Sequence, residues 1–134
     1  MFVRYRDVTP NRRGVQVGIF ALANGLAADG LLSEQDRRWW RASNDWYDAA
    51  YVEPASVDPA IFDREANPGA VCWFKASATH LLERVDGYLD LLDRHGVAWE
   101  RVETDAPGRI VHEDDVQVVA VPAAVEAPTA TGVR

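Results

Sequence analysis

Residues 107–122, PGRIVHEDDVQVVAVP, constrain the fold more than any other stretch. A Pro-Gly start leads into a β-branched run, an acidic turn at Asp114-Asp115, and a second β-branched run closed by Pro122. That pattern specifies a β-hairpin with strands at about 109–113 and 116–121. A lone hairpin is marginal in water, so the chain must supply further strands or a helix to cover its apolar face. The preceding segment, AVCWFKASATHLLERV, offers both.

Ala70–Lys75 is a continuous apolar run between turn signals, which predicts a buried strand. Ser77 is placed to cap a helix over 78–95, with Leu81, Val85, Tyr88 (or Leu89) and Leu92 as its apolar stripe. Gly96 suits the helix end, and Gly87 is a weak point within it. Residues 97–104 alternate as a strand with one wet face. The units 70–75, 78–95 and 97–104 predict a right-handed parallel crossover. The last three strands, joined by a tight turn at Asp105–Gly108, predict an antiparallel meander.

In the first half of the chain, residues 2–8 form a short strand pattern, and Thr9-Pro10 reads as the start of a helix over about 10–29. Val15, Ile19, Leu22 and Leu26 would make its buried face, Gly14, Gly18 and Gly25 would weaken it, and Gly30 would end it. Ser33 caps a second helix that runs to Ala50, with Asp36 in the position of a capping-box acid. Trp39, Ser43, Trp46 and Ala50 share one stripe there, flanked by Trp40 and Tyr47. The irregular stretch 51–69 should hold one helical turn through Phe62, pinned by Ile61 and Phe62, and a turn at Asn67-Pro68-Gly69. A connection of this length is a candidate lid or rim. Together these elements predict an α+β domain over residues 1–122, a mixed sheet of about four to five strands on about three helices. The segment 123–134 is expected to be a disordered tail.

Composition narrows the function classes. The net charge is −7, with no basic stripe, which disfavours nucleic acid and anionic membrane as partners. Cys72 is the single cysteine, so an internal disulfide and a cysteine zinc site are both excluded. The opening residues MFVRYRDV lack the apolar core of a signal peptide, and the most apolar run, Val15–Ala28, is too short to span a bilayer. These features predict a soluble, cytoplasmic protein. Lys75 is the only lysine beside 13 arginines, consistent with a GC-rich genome or with a need for an amine at that position.

No motif of high specificity occurs, and neither a metal nor a cofactor is expected. The junction Lys75-Ala76-Ser77-Ala78-Thr79-His80 is the first candidate site. At a strand end and helix start, Lys75, Ser77, Thr79 and His80 would favour an anionic ligand. His112-Glu113-Asp114-Asp115 looks chemical, but neighbours on a strand point to opposite faces, so it reads as a solvated turn. Cys72 lies in an apolar run and reads as a buried, inert thiol.

The leading expectation is a protein-interaction domain, acting as a homodimer or as the acidic partner in a complex. Its interface would use Arg37, Trp40, Arg41 and Tyr47, with Trp40 partly exposed, because tryptophan and arginine dominate binding hot spots. The alternative is a small-molecule binder or an enzyme using the Lys75–His80 junction for a small anionic ligand. An inhibitor or immunity-type role rests on charge alone.

Overall fold

The computed structural model describes residues 1–123; the predicted tail lies almost wholly outside the described residues. The fold is α+β. Five strands, β1 (Phe2–Asp7), β2 (Val71–Lys75), β3 (Trp99–Thr104), β4 (Arg109–Glu113) and β5 (Gln117–Val121), form one sheet of order β3-β1-β2-β5-β4. The helices are α1 (Ile19–Ala28), α2 (Glu34–Ala50), α3 (Pro54–Val57), α4 (Thr79–Leu82) and α5 (Asp86–Arg94), with a 3₁₀ turn at Pro59–Phe62.

Every pairing in the sheet is antiparallel. β2 and β3 do run parallel, as the crossover predicts, but β1 lies between them. β1 pairs over its whole length with β3, from Phe2 opposite Thr104 to Asp7 opposite Trp99. The meander is reduced to the β4–β5 hairpin, because β3 occupies the opposite edge from β4. Residues 105–108 are therefore a strap between the edges and not a tight turn.

The strap dictates the shape of the sheet. Thr104 and Arg109 are five Cα steps apart, a reach of about 18 Å at most. Four strand spacings in a flat sheet already amount to about 19 Å. The two residues also lie at opposite ends of their strands, since Thr104 is level with Lys75 while Arg109 pairs with Val121. The sheet must be coiled so that its edges approach. Gly108 makes the last step possible. Its φ is +119°, and a Cβ there would lie 2.0 Å from the Val121 carbonyl oxygen.

The main core lies under the helices. It joins Ile19 and Ala23 of α1, Tyr47 of α2, Phe74 of β2, Leu81 of α4, and Tyr88, Leu89, Leu91 and Leu92 of α5. A smaller cluster of Trp73, Val118 and Ala120 occupies the other face with Phe2, Val71 and Val102. The alternation of Trp73 and Phe74 between these clusters is the pleat at work.

Two predicted helices are shorter than their patterns. The 10–29 pattern becomes helical only at Ile19. Asn11 Oδ1 accepts from the N–H groups of Arg13 and Val15, and Gly14 takes φ +77°, so the chain turns there. The Asp7 N–H then bonds the Val17 carbonyl at 2.8 Å, holding residues 15–18 extended against β1. The 78–95 pattern splits into α4 and α5 with a turn over Glu83–Val85, and the predicted Ser77 cap is not made: Ala78 is the N-cap residue, without a side-chain bond. Its apolar stripe is nevertheless buried as predicted.

α2 matches its prediction closely, with Ser33 Oγ accepting from the Asp36 N–H at 3.1 Å. The Asp36 carboxylate does not close a capping box. It takes a forked pair from Arg94, at 2.9 and 3.2 Å, which ties α2 to α5. Gly87 is a contact point, not a flaw. A Cβ there would fall 2.2 Å from the Trp39 ring, which packs edge-on against Tyr88.

Candidate functional site

β1 and β2 pair at only two positions, Phe2 with Lys75 and Val3 with Phe74, and then part. From Arg6 onward the free edge of β1 is taken by Gly18 in an isolated antiparallel bridge. The sheet is thus split beside Arg4. The loop 9–18 closes one side of the split and the connection after α2 closes the other.

A cavity of about 350 Å³ fills the split. Its walls are mainly apolar and aromatic: Val3, Tyr5, Val17, Phe20, Tyr51, Phe62, Val71 and Phe74. This volume lies at the lower end for small-molecule sites, and an apolar lining with few polar groups is their usual chemistry. The polar groups here are Arg4, Glu53 and Cys72. The Arg4 guanidinium reaches the loop at Gly18, where a Cβ would stand 3.9 Å from its Nη2, an ordinary contact distance.

Arg4 is the unusual member. It is 8% exposed, pairing with Val102 of β3 on one side and with no residue of β2 on the other. Among the described residues it has no ion-pair or hydrogen-bond partner. Burial, and then the nearby charge of Arg6, lower its pKa to about 10, so it stays cationic at neutral pH. A buried charge without a partner is costly, and native proteins retain few of them without a use.

Cys72 faces the same space as an inert group. Burial pushes its thiol up to about 12, and Sγ donates to Gln117 Oε1 at 3.1 Å. Gln117 is fully buried. Its Nε2 donates to the Val52 carbonyl at 2.7 Å and to Asp114 Oδ2 at 2.9 Å, fastening the Tyr51–Glu53 wall to β5.

A second space of about 630 Å³ shares Arg4, Val15, Phe62, Ala70 and Val71 with the first. It is lined by Arg4, Arg6, Arg13 and Arg64, with Trp73 and the strap residue Pro107. No Asp or Glu lines it, although the chain carries 21 acids against 14 bases. Arg6 is held by Glu100 at 2.8 Å. Arg13 and Arg64 make no ion pair among the described residues. The cavity and this groove meet at Arg4.

The sites read from the sequence lie elsewhere. Lys75 binds Glu113 at 2.7 Å, and Ser77, Thr79 and His80 are exposed. None of the four lines either cavity, and the four-residue α4 offers no sustained helix dipole. Asp114 is a structural cap. It accepts from the Val116 and Gln117 N–H groups and lies 3.5 Å from His112 Nε2. Burial alone would raise its carboxyl, but the Gln117 side chain and these N–H groups hold it below the ordinary value.

On α2, Tyr47 is buried in the core and donates to the Leu81 carbonyl at 2.7 Å, so it reaches no surface. Trp40 is half-buried, its Nε1 bonded to Asn24 and its ring beneath Arg41 at 4.5 Å and Arg37 at 5.8 Å. Trp39 is the more exposed of the pair. No helix among the described residues is long and apolar enough to cross a membrane. The stretch 51–69 does form a rim, as its length predicts, since Tyr51, Glu53, Phe62 and Arg64 line the two cavities. Sequence reading missed Arg4 itself. The signal was an arginine in the middle of the strand pattern FVRYRDV, but its burial depends on β3 and on segments distant in the chain that line the split. In comparisons with known proteins the chain matches no family model, no curated protein and no solved structure.

Proposed function

We propose that this protein binds a small amphipathic anion, with its apolar body in the split of the sheet and its charge on Arg4. The observation that carries this reading is Arg4, an arginine only 8% exposed as a residue and without an ion-pair or hydrogen-bond partner among the described residues, at the wall of an apolar cavity. An anionic ligand would supply the missing counter-charge in a site already largely desolvated, where a charge-assisted bond is strongest. Cys72 supplies no nucleophile to this space, because burial holds its thiol far from the reactive thiolate. A protein-interaction role through Arg37, Trp40 and Arg41 has less support, since these side chains already engage one another and α1.

Isothermal titration with octanoate tests the proposal. Wild type should bind saturably, and Arg4→Met should weaken binding by roughly 30-fold or more, the usual loss when one partner of a buried charge pair is removed. Circular dichroism should show Arg4→Met folded. Octanoate binding equally to both proteins, or to neither, sinks the proposal.

A further inference from the structure

The groove on the far side of Arg4 identifies the head of the ligand. A single carboxylate needs only Arg4. Yet the space continuous with it is lined by Arg6, Arg13 and Arg64 as well, and by no acid. Four of the 13 arginines of an acidic chain meet in one groove. They come from separate parts of the chain: β1, the Asn11–Gly14 turn, and the turn after Phe62. Arg6 is partly neutralised by Glu100, but Arg4, Arg13 and Arg64 have no carboxylate partner among the described residues. The guanidinium fork matches phosphate oxygens, and several such forks suit a group carrying more than one negative charge. Trp73 and Pro107 of the strap also line this half-open groove, so its arginines border an apolar wall.

Resting on the reading of Arg4 above, we infer that the ligand is an organophosphate: a phosphate monoester or diphosphate in the Arg4–Arg6–Arg13–Arg64 groove, carrying an apolar substituent that enters the 350 Å³ cavity. The lining of that cavity, mostly aliphatic and aromatic, fits a hydrocarbon or ring system better than a sugar, which would need many hydrogen-bonding groups. Octyl phosphate carries both parts of this class. Octanoate carries the tail with one charge, and inorganic phosphate carries the head alone.

Titration with these three probes, on wild type and on an Arg13→Gln/Arg64→Gln double variant, separates the possibilities. Both residues are exposed, so the double variant should fold. Octyl phosphate should bind wild type at least about tenfold more tightly than octanoate does, and inorganic phosphate should bind weakest. The double variant should lose about tenfold for octyl phosphate while octanoate stays within about twofold. Arg12→Gln, an exposed arginine outside the groove, should change neither. Octyl phosphate should also weaken as pH falls below about 6, where the second phosphate proton returns. Equal affinity for octyl phosphate and octanoate, with both still dependent on Arg4, overturns this inference and leaves the binding proposal standing. Loss of Arg4 dependence overturns both. Binding to phosphatidate vesicles without affinity for free octyl phosphate also overturns it, because the head group would then be read on a membrane.

Discussion

Gln117 on β5 and Arg4 on β1 flank the same strand, β2, and both place a long polar side chain inside the protein. At Gln117 the amide group is satisfied. Its oxygen accepts from Cys72, and its nitrogen serves Val52 and Asp114. At Arg4 a cationic side chain is largely buried and pairs with no described residue. The first arrangement fixes a strand, a turn and a loop in place. The second leaves interaction energy unused in a folded chain, which is what a binding site requires. Buried polarity is therefore not one signal. Satisfied, as at Gln117, it fixes structure; unpaired beside a cavity, as at Arg4, it is the ground for the proposed ligand.

The comparison can be broken most sharply at Cys72, which lies between the two. If its thiol belongs to the satisfied network, its alkylation by iodoacetamide in native protein at pH 8 should be about a thousandfold slower than that of a free cysteine. Rapid labelling would mean that the network opens readily. Gln117→Leu comes next. It orphans the Val52 carbonyl and one Asp114 oxygen, and should lower stability by about 2–4 kcal/mol in urea denaturation. A loss below about 0.5 kcal/mol would remove the contrast with Arg4.

Arg4→Met should act with the opposite sign, raising the stability of the unliganded protein by about 1–3 kcal/mol while removing octanoate binding. Destabilisation of similar size would instead place Arg4 in the structural class. The smallest effect is expected at Asp114. Its folded-state pKa is depressed, so the stabilisation it provides is fully present above the ordinary carboxylate range. That stabilisation is lost as pH falls through the depressed value. The wild-type urea midpoint should therefore drop more between pH 7 and pH 3 than that of Asp114→Asn, and equal drops would count against the Asp114–Gln117 linkage.

The elements themselves were largely legible. Ser33 caps α2, the β4–β5 hairpin turns after Glu113, and the stripe from Leu81 to Leu92 is buried, because each depends on local spacing and capping. Three features were not local. Residues 15–18 look helical by their apolar spacing, but the Asn11 turn and β1 hold them extended. Gly87 looks like a helix breaker until the Trp39 ring arrives against it. Lys75 and His80 look like a pair at a strand end, yet Lys75 goes to Glu113 on the neighbouring hairpin.

By itself the sequence determined an α+β domain, its strands and most of its helices, since hydrophobic period and turn chemistry act over a few residues. Tertiary structure alone decided the strand order, the coiled shape imposed by the 105–108 strap, and the site. Those depend on which distant segments compete for one sheet edge. Only because β1 leaves β2 after two pairs does Arg4 face a cavity, and only there do Arg13 and Arg64, far apart in the chain, come to line the groove beside it.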